Sequence, residues 1–366
     1  MNIVVSREEL NQAIAMVQRA ISTRSPLAIL EGILIEARED QLILTGYDLQ
    51  KAIVSTIPAT VKEGGKLILR SRLFADIVRM LPEERVTIVR GHHGPVQITA
   101  GKAKYEIDYL DGDYPELPEV QRENHLEISQ NTLREMVNKT IFSASSDPSR
   151  PILNGLNVRF SPGELQVVAI DGFRMARQKA LVENSQESRE LNIPSQALQE
   201  LVRVLDKSDE TVDIYSTDQY ILFDNGKVKL VSRLLNGNYI DYKDIVPKQY
   251  MSTIRIDSAA LLAAIERCSL VINIEMKRDP ITLKSLNQDV LQIMARTDIG
   301  TAEEELLCHL EGEEIDIDFN PRYLMEALRL LPASEIQLGF GGNGTSLVIE
   351  GIEDDSFLYL ILPVRR

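Results

Sequence analysis

Two periods organise the apolar residues of this chain. Runs such as Gly32-Ile-Leu-Ile-Glu36, Gln41-Leu-Ile-Leu-Thr45, Arg85-Val-Thr-Ile-Val-Arg90 and Val96-Gln-Ile-Thr99 read as strands with one face buried. Elsewhere the spacing is helical. Leu73, Phe74, Ile77, Val78 and Leu81 form one stripe, and Tyr323, Leu324, Ala327, Leu328 and Leu331 form another. The pattern predicts six helices, at about 7–21, 71–81, 129–143, 195–206, 257–272 and 320–331, separated by strands in hairpin succession. Few helices among many hairpin strands imply α+β domains with antiparallel sheets.

The order of elements recurs three times. Ser71-Arg-Leu-Phe-Ala-Asp-Ile-Val-Arg-Met-Leu81, Ser195-Gln-Ala-Leu-Gln-Glu-Leu-Val-Arg-Val-Leu205 and Pro321-Arg-Tyr-Leu-Met-Glu-Ala-Leu-Arg-Leu-Leu331 align, with Arg79, Arg203 and Arg329 spaced 124 and 126 apart. Ile29-Leu-Glu-Gly-Ile33 matches Ile152-Leu-Asn-Gly-Leu156 at 123, as Leu10 matches Leu133. Leu110-Asp-Gly-Asp-Tyr114 matches Leu235-Asn-Gly-Asn-Tyr239 at 125, and the third first-helix copy is the weakest, with Ile14 on Ile265 at 251. A period near one third of the chain is too long for a solenoid and predicts three homologous domains. Polar stretches at Gln121–His125 and Lys248–Thr253 place the expected boundaries at 1–122, 123–250 and 251–366.

Length agrees, since 366 residues exceed one ordinary core. No run approaches the roughly 20 apolar residues of a membrane span. The start MNIVVSREEL lacks a basic region followed by an apolar block, so no secretory signal is expected. Cys268 and Cys308 are too few for a disulfide framework or a Cys-rich zinc site. These features predict a soluble cytoplasmic protein.

Charge complicates the picture. The net charge of −15 disfavours a nucleic-acid coat, and 5% aromatics with no Trp disfavour a stacking platform for single strands. The six helices nevertheless carry ten basic and nine acidic residues, so the acidity lies outside them. Two readings stand. The helix faces with Arg72, Asp76 and Arg79, with Gln196, Gln199 and Arg203, and with Arg322, Glu326 and Arg329 are solvated surface, or they present Arg and Gln to phosphates without reading base sequence.

With the triplication go Ile152-Leu-Asn-Gly-Leu156, Val168-Ala-Ile-Asp-Gly-Phe-Arg-Met175, Asn238-Tyr-Ile-Asp-Tyr242, Val246-Pro247 and the terminal Leu362-Pro-Val-Arg365. Together they give a chain that resembles the bacterial DNA polymerase III β subunit family, the sliding clamps, over its whole length. The resemblance implies a head-to-tail homodimer whose six domains close into a ring around duplex DNA, with the helices lining the hole. A topological link needs no tight phosphate binding, which fits nearly neutral helices. Head-to-tail contacts close rings when the rotation allows.

Site residues follow from the resemblance. Arg24, Arg72 and Arg150, with Ser149, match DNA-contacting positions, and the recurrent Arg79, Arg203 and Arg329 join them on the helical pattern. In the loop Ser149-Arg-Pro-Ile152 no aromatic is present for stacking. A pocket for partner peptides is implied from Leu153, Ile170, Gly172, Phe173, Arg174, Met175, Ile240, Ile245, Leu360, Leu362, Pro363, Val364 and Arg365. Phe173 stands where the family's familiar sequence has His, and Ile240 where it has Pro, so the pocket is more apolar. Taken alone, Leu153, Ile170 and Met175 are core residues at strand ends, and Pro363 ends a strand. Tyr105 and Ile107 on an edge strand, facing Val271 and Ile272, are the implied ring interface. The implied partners are a second copy, double-stranded DNA, the polymerase III catalytic α subunit, the clamp-loader δ subunit, translesion polymerases, mismatch-repair proteins and DNA ligase, with no membrane.

Other signals are weaker. Gly339-Phe-Gly-Gly-Asn-Gly344 has the spacing of a nucleotide loop, but a strand-like Thr345–Glu350 follows where a helix is needed, so Asn343-Gly344 reads as a hairpin turn. His92-His93 reads as an exposed turn. Asp316 and Asp318 alternate with Ile315 and Ile317, as in a strand with one solvated face. No Ser/His/Asp set, Walker lysine loop or HExxH is present, so neither catalytic residues, metal nor cofactor is expected. The leading expectation is a non-catalytic processivity factor. The alternatives are a three-domain scaffold that never encircles DNA and, remotely, a carboxylate hydrolase.

Overall fold

A computed structural model of the chain describes every residue except 23, 24, 26, 92, 93, 123, 124, 183–187, 273–278, 332, 333, 343, 353 and 366. Six α-helices lie among the described residues: α1 (Arg7–Val17), α2 (Ser71–Met80), α3 (Gln130–Asn138), α4 (Ser195–Val204), α5 (Ser258–Cys268) and α6 (Pro321–Leu328). They fall where the helical spacing predicts, but the first helix of each third is shorter. Its expected last turn is a separate 3-10 turn at Gln18–Ala20, Ile141–Ser143 or Ser269–Val271. Such tightening satisfies carbonyls left open where an α-helix stops. Side chains cap helix starts: Ser6 Oγ accepts from Glu9 N, Asp257 from Ala260 N and Asn320 from Arg322 N.

The chain divides into two compact units, 1–133 with 196–234, and 134–195 with 235–366. All strand pairing among the described residues is antiparallel. The first unit holds a five-stranded sheet ordered Thr60–Glu63, Asn2–Ser6, Arg85–Val89, Val96–Ala100, Ala103–Ile107. Its second sheet has eight strands, ordered Leu126–Ser129, Thr211–Ser216, Tyr220–Asp224, Val228–Arg233, Lys51–Pro58, Gln41–Tyr47, Gly32–Arg38, Gly65–Arg70.

The second unit is built the same way. Nine strands run Arg189–Pro194, Gly155–Ser161, Glu164–Ile170, Arg174–Leu181, Asp354–Ile361, Leu347–Gly351, Glu335–Phe340, Ser252–Asp257, His309–Gly312, and four run Gly300–Leu307, Val290–Thr297, Ile281–Ser285, Asp316–Phe319. Each large sheet therefore takes strands from two consecutive repeats. The middle third contributes to both.

Three expectations change. Leu73 is 45% exposed, because the buried stripe of α2 runs Phe74, Ile77, Val78, Leu81 and Leu73 flanks it. Asp316 is exposed as expected, but Asp318 is buried: Thr282 Oγ1 donates to Asp318 Oδ1 at 2.6 Å, and Val364 N donates to its carbonyl at 2.8 Å. The strand expected from Thr345 begins at Leu347, so the hairpin that pairs Phe340 with Leu347 turns through a longer loop. Asn343, His92 and His93 lie outside the described residues. No described helix is long and apolar enough to cross a membrane.

Candidate functional site

The second unit gathers the pocket residues at one sheet end. Ile170 closes one strand, Arg174 opens the next, and Asp171, Gly172 and Phe173 make the turn. Asp171 Oδ1 accepts from Phe173 N (2.8 Å) and Arg174 N (3.0 Å), fixing the turn locally. Gly172 sits at φ +95°, where a side chain is strained, and an added Cβ would lie 3.1 Å from Arg150 Nη1. Leu362 N donates to Phe173 O at 2.8 Å, laying the C-terminal segment beside the turn.

These residues divide by exposure. Leu153, Ile170, Met175 and Leu360 are buried in one apolar cluster with Val168, Tyr239, Tyr242, Val348 and Leu358. Tyr239 OH accepts from Ile170 N at 3.0 Å, tying the segment before Ile240 to the strand end. Above that floor the apolar side chains remain in solvent: Phe173 (62%), Leu362 (41%), Ile240 (39%), Ile245 (38%) and Val364 (38%). Pro363 is half-buried and Arg365 exposed. Five exposed apolar residues around a buried apolar floor form a surface suited to an apolar partner.

Arg174 is not a rim residue. Its side chain is 8% exposed, with Nε 2.9 Å from Asp171 Oδ2, Nη2 donating to Phe142 O at 2.6 Å and Nη1 bonded to Glu326. The guanidinium lies 4.1 Å from the Tyr323 ring centroid. Burial works against its charge, but Tyr359 and the Glu326 carboxylate prevail and hold its pKa above the ordinary value. Burial alone would raise the Glu326 carboxyl, yet hydrogen bonds from Arg174 and Arg322 hold it low. Glu326, placed by helical spacing on the solvated face of α6, thus holds Arg174 and accepts from Arg322 Nε at 2.7 Å. No local pattern announces a partner 152 residues away.

The arginines expected at DNA spread over both units. Arg72 and Arg79 are exposed on α2, where Arg79 pairs with Asp76 at 2.6 Å. Arg203 pairs with Glu200 at 2.9 Å, and Arg19 reaches the same carboxylate at 3.2 Å. Arg329, at the end of α6, pairs with Glu266 of α5 at 2.7 Å. Among the described residues, Arg72 and Arg150 have no carboxylate within 4 Å. Ser149 N donates to Asp147 Oδ1 at 2.9 Å, which keeps that carboxyl below its usual range. Arg150 lines a cavity of about 470 Å³ together with Phe173 and Arg174, beside the apolar rim. Arg24 lies outside the described residues.

Tyr105, 36% exposed, and the half-buried Ile107 lie on the edge strand Ala103–Ile107. Val271 is half-buried, and Ile272, 8% exposed, belongs to the core of the second unit. Sequence reasoning passed over Leu270, which is 82% exposed on the same 3-10 turn, and Leu307, 84% exposed on the edge strand Gly300–Leu307. Among the described residues no group of three or more His, Cys, Asp or Glu is placed to hold a metal.

Comparison with known proteins agrees with this architecture. Models of the DNA polymerase III beta subunit match in three consecutive pieces: the N-terminal domain over residues 1–118, the central domain over 127–241 and the C-terminal domain over 243–365. The beta sliding clamp of Bacillus subtilis is 32% identical over all of both chains, and that of Staphylococcus epidermidis is 34% identical over 95% of this chain and 94% of its own. The Bacillus subtilis clamp crystal structure superposes with a TM-score of 0.97, covering 100% of this chain and 99% of that one. A Pseudomonas aeruginosa clamp structure, 26% identical, gives 0.93 over the full length of both. Three homologous α+β domains, four antiparallel sheets and full-length relatives agree: the chain belongs to the DNA polymerase III beta subunit family, the non-catalytic sliding clamps of DNA replication.

Proposed function

We propose that two copies of this chain, each with clamp domains 1–122, 123–250 and 251–366, join head to tail in the cytoplasm as a ring around duplex DNA. The observation that carries this reading is a pair of unlike sheet edges. Ala103–Ile107 ends one sheet with Lys104, Tyr105 and Glu106 exposed, the lysine and glutamate paired at 2.9 Å, and Gly300–Leu307 ends another with Glu303, Glu305 and Leu307 exposed. Each edge offers unpaired backbone and apolar surface to the other, and an unlike pair of edges makes a heterologous contact. Leu270, Val271 and Ile272 lie on the side of the Gly300–Leu307 edge. Only Leu270 and Val271 retain surface for that role.

Inside the ring, Arg24, Arg72, Arg79, Ser149, Arg150, Arg203 and Arg329 meet phosphates without reading bases. Pairing of Arg79, Arg203 and Arg329 with carboxylates keeps that contact weak, as sliding requires. The exposed apolar rim of Phe173, Ile240, Ile245, Leu362 and Val364, over Leu153, Ile170, Met175 and Leu360, docks a linear peptide. Gly172 shapes the turn, Arg174 is its buried brace, and Pro363 and Arg365 extend the rim. The peptides belong to the polymerase III catalytic α subunit, the clamp-loader δ subunit and, beyond them, translesion polymerases, mismatch-repair proteins and DNA ligase.

The test is retention after loading on nicked circular and on linearised DNA, at a salt concentration that screens phosphate contacts. Stable retention on circles with rapid loss from free ends is expected. Equal loss from both would leave a scaffold that docks peptides without encircling DNA.

A further inference from the structure

A second cleft, of about 470 Å³, opens beside the apolar cluster in the same unit and is lined by Arg159, Arg177, Lys179, Lys243 and Lys248 against a single lining carboxylate, Glu164. The two sites share one sheet face. Along the strand Arg174–Leu181, Met175, Arg177 and Lys179 alternate onto it. Met175 pairs with Ile170 and Leu360, whereas Lys179 pairs with Gln166, itself opposite Arg159. Within four residues, about 13 Å of extended strand, that face passes from apolar to cationic. Tyr242 and Val246 serve both sites, packing in or against the apolar cluster while walling the cleft.

The cations are only partly neutralised. Arg159 pairs with Glu190 at 3.4 Å, and Lys179 with Asp355 at 3.1 Å and Glu164 at 3.6 Å. Arg177 Nη2 donates to Asp355 O at 2.8 Å, while its Nε is buried without an acceptor among the described residues. Lys243 and Lys248 are exposed, with no ion pair among the described residues. In a chain of net charge −15, such a local excess of cations is the exception.

We propose that this cleft binds acidic side chains that flank the apolar docking segment of a partner peptide. The assignment rests on the peptide-pocket reading and deepens it. The surface selects a ligand with an apolar end and an anionic end a few extended residues apart. A peptide has that form, and a nucleic-acid backbone, uniformly charged, does not. Because the chain carries a net charge of −15, a cationic cleft beside the rim selects among docking peptides by what lies beside their apolar core.

The test uses the dimeric full-length protein and three labelled peptides with the apolar core Leu-Ala-Leu-Phe. One carries four glutamates before the core, one carries four after it, and the third carries four glutamines. Fluorescence anisotropy at low salt is expected to show one glutamate peptide bound about fivefold to tenfold more tightly than the glutamine peptide, an advantage that shrinks at high salt. Lys243→Gln with Lys248→Gln, at exposed positions on the 3-10 turn Tyr242–Asp244 and on the loop after it, is expected to reduce that advantage and leave the glutamine peptide unchanged. Equal affinity for all three would overturn the acidic-flank assignment while leaving the pocket intact. Binding of none would overturn the pocket reading, and this inference with it. A short DNA duplex that displaces the glutamate peptide but not the glutamine peptide would transfer the cleft to nucleic acid.

Discussion

The two large sheets carry the same turn, and only one copy is surrounded by five exposed apolar side chains. In the first unit Asp48 Oδ1 accepts from Gln50 N (2.9 Å) and Lys51 N (2.8 Å). In the second, 123 residues on, Asp171 does the same for Phe173 and Arg174. Arg233 N donates to Gln50 O at 2.8 Å, as Leu362 N does to Phe173 O. Backbone and register are thus shared. The side chains are not, since the exposed Gln50 and Arg233 of the first copy answer to Phe173 and Leu362 of the second.

The covering segments differ too. Tyr114, Leu117 and Val120 pack against a cluster around Leu30, Tyr47 and Tyr215, whereas the matching stretch after Tyr239 leaves Ile240 and Ile245 in solvent. Exposed apolar surface is a cost that folding alone does not recover; the first copy exposes Leu49 (37%) at its turn, whereas the second exposes the five residues of the rim. One fold can present different surfaces in its repeats, because five surface side chains change the chemistry without touching the sheet.

That comparison can be broken in four ways, in falling order of effect. Arg174→Ala leaves Glu326 and Asp171 facing a void and is expected to cost about 3–5 kcal/mol in urea unfolding. Lys51→Ala, which removes the 2.6 Å pair with Asp48, is expected to cost about 1–2 kcal/mol. Equal losses would show that the two braces are equivalent. Next, Leu362→Asp with Val364→Asp should weaken peptide binding about 100-fold with an unchanged melting curve. Gln50→Asp with Arg233→Asp, the mirror change, should leave binding within about twofold. A loss from the mirror pair would mean that both copies bind.

Backbone strain comes third. Leu49 stands at φ +72° where the second copy has Gly172 at φ +95°. Gly172→Leu is expected to cost about 1–2 kcal/mol, and Leu49→Gly to be neutral or slightly stabilising, by thermal melts. The smallest effect is a pH dependence. The Glu326 carboxyl is held below its ordinary 4.5, so the folded chain keeps it charged at a pH where the unfolded chain protonates it. Its contribution is complete above about pH 5 and is lost as pH falls through the depressed pKa. Glu326→Gln should therefore flatten the acid limb of stability between pH 6 and pH 3.5. An unchanged slope would place that limb in other carboxylates.

The amino-acid pattern by itself determined the elements and their repetition. Alternation sets strands such as Gln41–Tyr47, the stripe Phe74, Ile77, Val78, Leu81 sets α2, and the match of Leu110-Asp-Gly-Asp-Tyr114 to Leu235-Asn-Gly-Asn-Tyr239 sets the repeat. These are local, because strand and helix periods act over a few residues and each element must bury one face. Only the tertiary structure decided which strands pair across the repeats: Val228–Arg233 lies beside Lys51–Pro58, and Asp354–Ile361 beside Arg174–Leu181. Hydrogen bonds between antiparallel strands are the same for any partner, so the sequence carries little record of that choice. The burial of Asp318, the exposure of Leu270 and the bond between Arg174 and Glu326 follow from the pairing, since each depends on what a distant segment brings to that spot.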